Sequence, residues 1–142
     1  MAVPSAITAQ TVSGDNNLEF GSLFRASTKS IAYSSADAAR FTVTGGKGRN
    51  VRLTVSKTNV YANWLSLSAV VLISNSDCAF STNGGSTWTT FSSGSLYHNT
   101  KFPSTGGTNT TILVRVGGTV VSGLTQRRGD YVGLVTLKAD YL

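Results

Sequence analysis

The end of the chain follows the two-residue period of a β-strand. One face of that strand carries the odd-numbered positions Tyr131, Gly133, Val135, Leu137, Ala139 and Tyr141. A long apolar strand at a chain terminus needs partners, because terminal strands fray and unpaired edges attract other chains. The pattern therefore predicts a β-sheet whose last strand is either packed between neighbours or exposes an edge that a second chain can pair with.

Shorter runs with the same period occupy much of the remaining chain. Residues 41–43 and 51–55 flank the glycine-rich segment 45–50, which predicts a hairpin. Residues 64–73 are mostly apolar, which predicts a strand near the core. Residues 112–116 predict a further strand, followed at Gly117 and Gly118 by a turn and a short return strand.

Turns and irregular segments separate these runs. Residues 81–88 predict a turn between strands, and residues 92–110 predict a long loop because they are rich in Gly, Ser, Thr and Asn. The best helix candidate, residues 35–40, is barely longer than one turn and cannot stand alone. About seven short strands with such spacing predict an all-β fold, an immunoglobulin-like β-sandwich.

Composition fits one extracellular all-β module. A chain of 142 residues fills a single domain. Charged residues make up 13% of the chain, about half of the usual share of roughly 25%. The net charge of +6 permits attraction to nucleic acid, acidic polysaccharide or anionic membranes. The two tight basic groups, residues 47–52 and 127–128, lie beside glycines, so we interpret them as solvated turns and expect no nucleic-acid partner.

Few side chains suit catalysis or metal binding. Cys78 is the single cysteine, which leaves no partner for a disulfide or a cysteine-based zinc site, and we expect it to be buried or half-buried. The single histidine, His98, lies in a polar segment typical of a surface loop. The six acidic residues form no close pair. We therefore expect no enzyme activity, no cofactor and no metal site.

Two features bear on export. The longest apolar run, residues 69–73, is far shorter than the roughly 20 residues that a membrane-spanning helix needs. The first residues lack the charged start and apolar stretch of a signal peptide. If the protein is exported, we expect this to be its mature form.

Two sets of residues resemble known families. Tyr141 is penultimate and Gly129 is fourteenth from the end, which resembles the last strand of pilus subunits assembled by the chaperone–usher route. Most of the chain also resembles a bacterial surface-domain family related to spore-coat-U-like secreted proteins. This second resemblance is carried by residues 17–21, 41–45, 116–119 and 129–133 together with Tyr141. The unpaired Cys78 departs from the many pilus subunits that carry a disulfide near the first strand.

The resemblance to pilus subunits implies a mechanism of assembly. Such subunits have an immunoglobulin-like sandwich that lacks one strand, and the N-terminal extension of the next copy fills the gap. A periplasmic chaperone fills it beforehand, and an outer-membrane usher directs assembly. The resemblance implies a secreted, homopolymeric surface filament that supports adhesion or biofilm formation, with host or matrix glycans as further partners.

This assembly assigns roles to both ends of the chain. Residues 1–13 would be the donor extension, and residues 14–142 a single pilin domain. Alternate positions of the extension would enter a neighbour, namely Val3, Ser5, Ile7, Ala9 and Thr11, with Val3 and Ile7 as the main apolar contacts. The acceptor groove would be formed partly by the odd-numbered face of the last strand, beginning at Gly129.

Three alternatives remain open at this point. Residues 7–12 could simply be the first strand of their own domain. The protein could be a monomeric carbohydrate-binding module that stacks sugars on Trp88 and Tyr97, although aromatic side chains of a sandwich lie in the core more often. The basic charge would also suit a small viral coat protein, which we rank lowest because it does not account for the C-terminal pattern.

Overall fold

The computed structural model describes residues 10–62, 68–92, 95–107, 109–124, 126–127 and 130–142. Within them the chain forms thirteen β-strands and one short 3-10 turn at Asn75–Asp77. The strands are β1 (Thr11–Asn16), β2 (Thr28–Ile31), β3 (Ala39–Gly46), β4 (Asn50–Lys57), β5 (Val60–Ala62), β6 (Ser68–Leu72), β7 (Cys78–Ser81), β8 (Thr89–Thr90), β9 (Tyr97–Lys101), β10 (Asn109–Val116), β11 (Gly118–Val121), β12 (Tyr131–Val132) and β13 (Val135–Tyr141).

The strands form three antiparallel sheets. Sheet I has the order β1-β3-β10-β7-β8, sheet II the order β13-β4-β9, and sheet III the order β12-β5-β6-β11-β2. In the described part of the chain, no helix is long and apolar enough to span a membrane. The prediction of an all-β fold is confirmed.

Sheets I and II pack face to face around the main core. Alternate side chains of β4 and β10 point between them, because successive residues of a strand face opposite sides. The central members of this core are fully buried, namely Val43, Val51, Leu53, Ile112, Val114 and Val116. Each such side chain contributes about 1.5 to 3 kcal/mol through burial. The molecule is thus a β-sandwich, as the alternating runs predict.

A smaller core lies beneath sheet III. Ala69, Val71 and Val120 are buried there and contact Phe20 and Leu23 from the segment between β1 and β2. Residues 64–73 were predicted to contain a core strand. This is confirmed for β6, whose Ala69 and Val71 are buried while Val70 is exposed; residues 63–67 lie outside the described residues.

Two predicted hairpins are wrong. Strands β3 and β4 are joined by a turn in which the Arg49 N–H donates to the Gly46 carbonyl at 3.1 Å, but they belong to different sheets. The predicted turn at Gly117 is instead a crossing from β10 in sheet I to β11 in sheet III. A Cβ on Gly117 would collide with the Ile31 carbonyl oxygen, so the crossing requires glycine.

Two further local predictions concern the segments around β8 and β9. The predicted turn at residues 81–88 is confirmed, because it joins the paired strands β7 and β8. The predicted loop at residues 92–110 is wrong in part, because it contains β9, which pairs with β4. Strand β9 is polar and sits at a sheet edge, where half of its surface meets solvent, so it lacks the apolar alternation of the inner strands.

The predicted terminal strand is interrupted. Strands β12 and β13 pair with β5 and β4 respectively, and the pairing breaks between Val132 and Val135. Thr58 bridges the break: its N–H donates to the Leu134 carbonyl and its hydroxyl accepts from the Leu134 N–H, both at 2.9 Å. A Cβ on Gly133 would lie 2.8 Å from the Asn59 carbonyl oxygen, so glycine permits this close approach.

Candidate functional site at an open edge of the sandwich

Strand β13 lies at the edge of sheet II. The Leu142 N–H donates to the Asn50 carbonyl at 3.0 Å, and the Leu134 carbonyl accepts from Thr58, so even-numbered residues direct their backbone groups toward β4. In an antiparallel pair the intervening residues direct theirs the opposite way. The N–H and C=O groups of Val135, Leu137 and the following odd-numbered residues of β13 therefore face the outer edge of the sheet.

The odd-numbered side chains of β13 face the core. Leu137 and Ala139 are each 6% exposed, while Val135 and Tyr141 are half-buried and pack against the main core. The even-numbered Thr136 and Lys138 are exposed. The odd-numbered face, which the sequence analysis assigned to the acceptor groove, is thus the face that the described part of the strand buries.

Tyr141 joins the end of β13 to the turn between β3 and β4. Its hydroxyl accepts a hydrogen bond from the Gly46 N–H at 2.8 Å. The Arg49 guanidinium stacks 4.1 Å from the ring centroid, and Phe102 meets the ring edge-on at 6.2 Å. These contacts hold the terminal strand in place at the edge of sheet II.

The other predicted positions of the last strand lie away from this edge. Tyr131 belongs to β12 in sheet III, and its hydroxyl donates to the Arg127 carbonyl at 2.9 Å. Gly133 lies at the break between β12 and β13. Gly129 lies outside the described residues.

Strand β1 is the edge of sheet I, and it is uncovered. All six of its residues are exposed. Val12 pairs with Val43, which is fully buried, so both side chains point to the inner side of the sheet. Val12 nevertheless remains 38% exposed. Val12 is therefore an apolar, inward-facing side chain that solvent still reaches at the edge of sheet I.

The edge strands β1 and β13 lie beside one another, with Cα atoms of the two strands within 8 Å. The Gln10 side-chain amide donates to the Ala139 carbonyl at 2.7 Å, and this carbonyl points to the outer edge of sheet II. We call the region between the two strands the seam. No family model, curated protein or solved structure matches this chain. The chemistry of the seam is that of backbone groups and apolar side chains, which suits pairing with a further extended strand.

The predicted domain boundary needs correction. It falls between residues 13 and 14, inside β1, and Thr11 pairs with Thr44 of its own chain. Thr11 is therefore part of sheet I, and its side chain shares the outer face with Thr44 rather than the face of Val12. This agrees with the alternative that the first strand includes residues 11 and 12. Val3, Ser5, Ile7 and Ala9 lie outside the described residues.

The opposite side of the sandwich is closed by aromatic contacts. The His98 ring lies 4.7 Å from Phe80 and 5.9 Å from Phe91, which joins β9 to β7. His98 was predicted to lie in a surface loop; it lies instead on β9, and burial lowers the pKa of its imidazole. The His98 Nδ1 accepts a hydrogen bond from the Ser92 N–H at 3.3 Å, and the Ser92 hydroxyl lies 3.4 Å from the same nitrogen.

Cys78 belongs to the core. It is fully buried, as the sequence predicts, and burial together with the charge of Asp77 raises the pKa of its thiol to about 12. The thiol therefore stays protonated at neutral pH and unreactive. Among the described residues, no three His, Cys, Asp or Glu side chains come together as a metal site.

The two aromatic residues of the carbohydrate alternative lie apart. His98 points into the core, so its neighbour Tyr97 points outward from sheet II, where Arg52 lies 4.8 Å from its ring. Trp88 lies against Arg115 on the outer face of sheet I. The two rings are on opposite faces of the sandwich and cannot contact one sugar chain together.

Proposed function

We propose that this protein is the subunit of an extracellular pilus, in which each copy inserts its N-terminal segment into the seam of the next. The observation that supports this most directly is that β1 and β13 end their sheets beside one another, with the inward-facing Val12 left exposed. An inserted strand needs about 10 Å between its two neighbours, so it would part β1 from β13 and then complete an immunoglobulin-like sandwich.

The length of the segment suits the seam. Strand β13 has seven residues, so an extended partner must span about 23 Å at roughly 3.3 Å per residue. Residues 1–9 precede Gln10 and are long enough to do so. The donor is shorter than the thirteen residues predicted from sequence, because Thr11 is already used in sheet I.

The backbone and the side chains of the donor segment would make separate contributions to the contact between two copies. The outward N–H and C=O groups of the odd-numbered residues of β13 would bond to the donor backbone, which supplies affinity. Val3 and Ile7 would occupy the apolar floor of the seam beside Val12, and each would contribute about 1.5 to 3 kcal/mol through burial. The smaller Ser5 and Ala9 would lie between them and set the register.

An open edge also implies assistance before assembly. Unpaired edges aggregate, so a periplasmic chaperone would have to cover the seam and an outer-membrane usher would coordinate the exchange. The resulting surface filament would serve adhesion or biofilm formation. This set of partners follows from the resemblance of the terminal strand to pilus subunits.

The experiment compares two single substitutions in the donor segment. Ile7→Asp places a charge on the face that enters the seam, whereas Thr8→Asp places the same charge on the opposite face. Electron microscopy of the purified protein should show long, thin fibres for the parent and for Thr8→Asp, and folded monomers for Ile7→Asp. The parent fibres should resist boiling in detergent.

Two results would contradict the proposal. If Ile7→Asp unfolds the monomer while Thr8→Asp does not, residues 1–9 belong to the core of their own domain. If the parent chain is a monodisperse monomer that is unaffected by removal of residues 1–9, the seam does not serve polymerisation. Circular dichroism of each variant separates loss of fold from loss of assembly.

A further inference from the structure

Two arginines lie side by side on the outer face of sheet I. Arg40 of β3 is directly opposite Arg115 of β10 in the antiparallel pairing. Val114 and Val116 on either side of Arg115 are fully buried, so Arg115 points away from the core, and its cross-strand partner Arg40 points the same way. The pairing therefore places two positive charges next to one another.

In the described part of the chain, no acidic side chain forms an ion pair with either arginine; the one ion pair there joins Lys138 to Asp140, on a different sheet. The Asp15 carboxylate lies on the same outer face and accepts a hydrogen bond from Thr42. The buried Nε of Arg40 has no hydrogen-bond partner among the described residues. Like charges directly opposite each other destabilise a sheet, and a buried donor without an acceptor adds to that cost. An anion beside the two guanidinium groups would offset the repulsion between them.

Trp88 holds one of the two guanidinium groups in a defined orientation. The turn between β7 and β8 folds over the outer face, and the indole N–H of Trp88 donates to the Gly85 carbonyl at 3.1 Å. The Arg115 guanidinium stacks 4.5 Å from the centroid of the indole ring. A stacked guanidinium keeps its N–H groups in one plane, which prepares it for bidentate contact with a planar anion.

We propose that Arg40 and Arg115 bind the acidic group of a polysaccharide, a carboxylate or a sulfate ester, beside Trp88. Each guanidinium supplies paired N–H donors that match the oxygens of such a group. The indole edge offers an apolar surface to the adjoining sugar ring. The net charge of +6 attracts acidic chains to the protein as a whole.

The pattern of charge favours a polysaccharide over nucleic acid. Nucleic acid carries a phosphate at every nucleotide, and its binding proteins distribute several cations along the backbone. Here the arginine pair is isolated at one end of β3, and the exposed Lys47 follows the opposite end of that strand. The site is also on the outer face of sheet I, away from the seam, so it does not depend on polymerisation.

The test measures binding of the full chain by isothermal titration calorimetry. The probes are a galacturonate oligosaccharide, which carries only carboxylates, a dextran sulfate oligosaccharide, which carries only sulfate esters, a neutral dextran oligosaccharide of similar length, and a single-stranded DNA oligonucleotide. The variants are Arg40→Gln and Arg115→Gln, with Lys47→Gln as a control that removes the same charge at a distance. Thermal unfolding is followed for each variant.

At least one acidic oligosaccharide should bind, and the stronger of the two identifies the acidic group. Arg40→Gln and Arg115→Gln should each weaken binding by about tenfold or more, as expected for loss of a charge-assisted bidentate contact. Lys47→Gln should change it by less than about twofold, because exposed charges at this distance are screened. Arg40→Gln should not lower the melting temperature, because it relieves repulsion.

The opposite results would overturn the proposal. Equal weakening by all three substitutions would mean general charge attraction rather than a site. Stronger binding of the DNA oligonucleotide than of either acidic sugar, or no binding of an acidic sugar, would exclude the polysaccharide. A lower melting temperature for Arg40→Gln would assign Arg40 a structural role instead.

Discussion

The two tyrosines of the terminal segment illustrate how one residue type takes different roles. The Tyr141 hydroxyl accepts from the Gly46 N–H between packed strands, and its ring contacts Phe102 and the Arg49 guanidinium. The Tyr131 hydroxyl donates to a carbonyl at an exposed position. Water can replace the second hydrogen bond easily, whereas the first ties β13 to the turn that follows β3.

We expect Tyr141→Phe to lower the free energy of unfolding by about 0.5 to 1.5 kcal/mol, because it removes one partly buried hydrogen bond and keeps the ring contacts. Tyr131→Phe should change it by less than about 0.5 kcal/mol, as for most surface substitutions. Urea denaturation of monomeric protein measures both. Equal effects of the two substitutions would contradict the role assigned to Tyr141.

At the scale of single elements, β13 combines two properties that rarely occur together. Its odd-numbered side chains are part of the core, while the backbone groups of the same residues face the open seam. Strands at natural edges are usually protected by charge, proline or a bulge. Strand β13 carries no proline, and its two charged residues, Lys138 and Asp140, form an ion pair with each other, so its edge is suited to pairing.

Proline substitutions test which side of β13 each backbone N–H group faces. Val135→Pro removes an N–H that faces the seam and keeps the bonds to β4, so the monomer should fold while polymerisation is weakened. Thr136→Pro removes an N–H that faces β4, and should cost about 3 kcal/mol or more of monomer stability. Thermal unfolding and electron microscopy measure the two effects. Polymers of normal stability from Val135→Pro would argue against pairing at this edge.

The crossing at Gly117 is the other element that the sequence alone does not explain. A Gly-Gly pair between two apolar runs is typical of a turn. In the structure the chain continues from sheet I into sheet III, and at Gly117 its backbone passes against Ile31 of β2 and the two residues that follow, Ala32 and Tyr33. Close approach of two backbones, rather than reversal of direction, accounts for the glycine.

For the whole molecule, the two sides of the sandwich differ. On one side His98 lies between Phe80 and Phe91 and closes the sheets on each other. On the other side the Gln10 side-chain amide donates across the seam to the Ala139 carbonyl, and β1 and β13 lie beside one another. If a further strand parts them as proposed, its binding should stabilise the fold.

A synthetic peptide of residues 1–9 tests this directly. Added to a chain that lacks those residues, it should raise the melting temperature, and at 100 times its dissociation constant it should stabilise the fold by about 2.7 kcal/mol. The same peptide with Ile7→Asp should have little effect. If the truncated chain is as stable as the complete one and the peptide does not bind, the seam is not an acceptor for this segment.

The order of residues determined which side chains face the core. Period-two alternation identifies the buried faces of β4, β10 and β13 directly, because adjacent side chains of an extended chain point in opposite directions. The same rule led to the all-β fold and to the odd-numbered face of the last strand. Alternation predicts the fold class and this face without any information on which strands are neighbours.

Only the tertiary structure decided which strands pair, and the candidate sites depend on that. Alternation does not say that β3 and β4 lie in different sheets, that Arg40 meets Arg115 across 74 intervening positions of sequence, or that β1 and β13 lie beside one another. Pairing is determined by the packing of distant segments against one another. The free energy of that packing is shared over many contacts, so no short stretch of sequence predicts it.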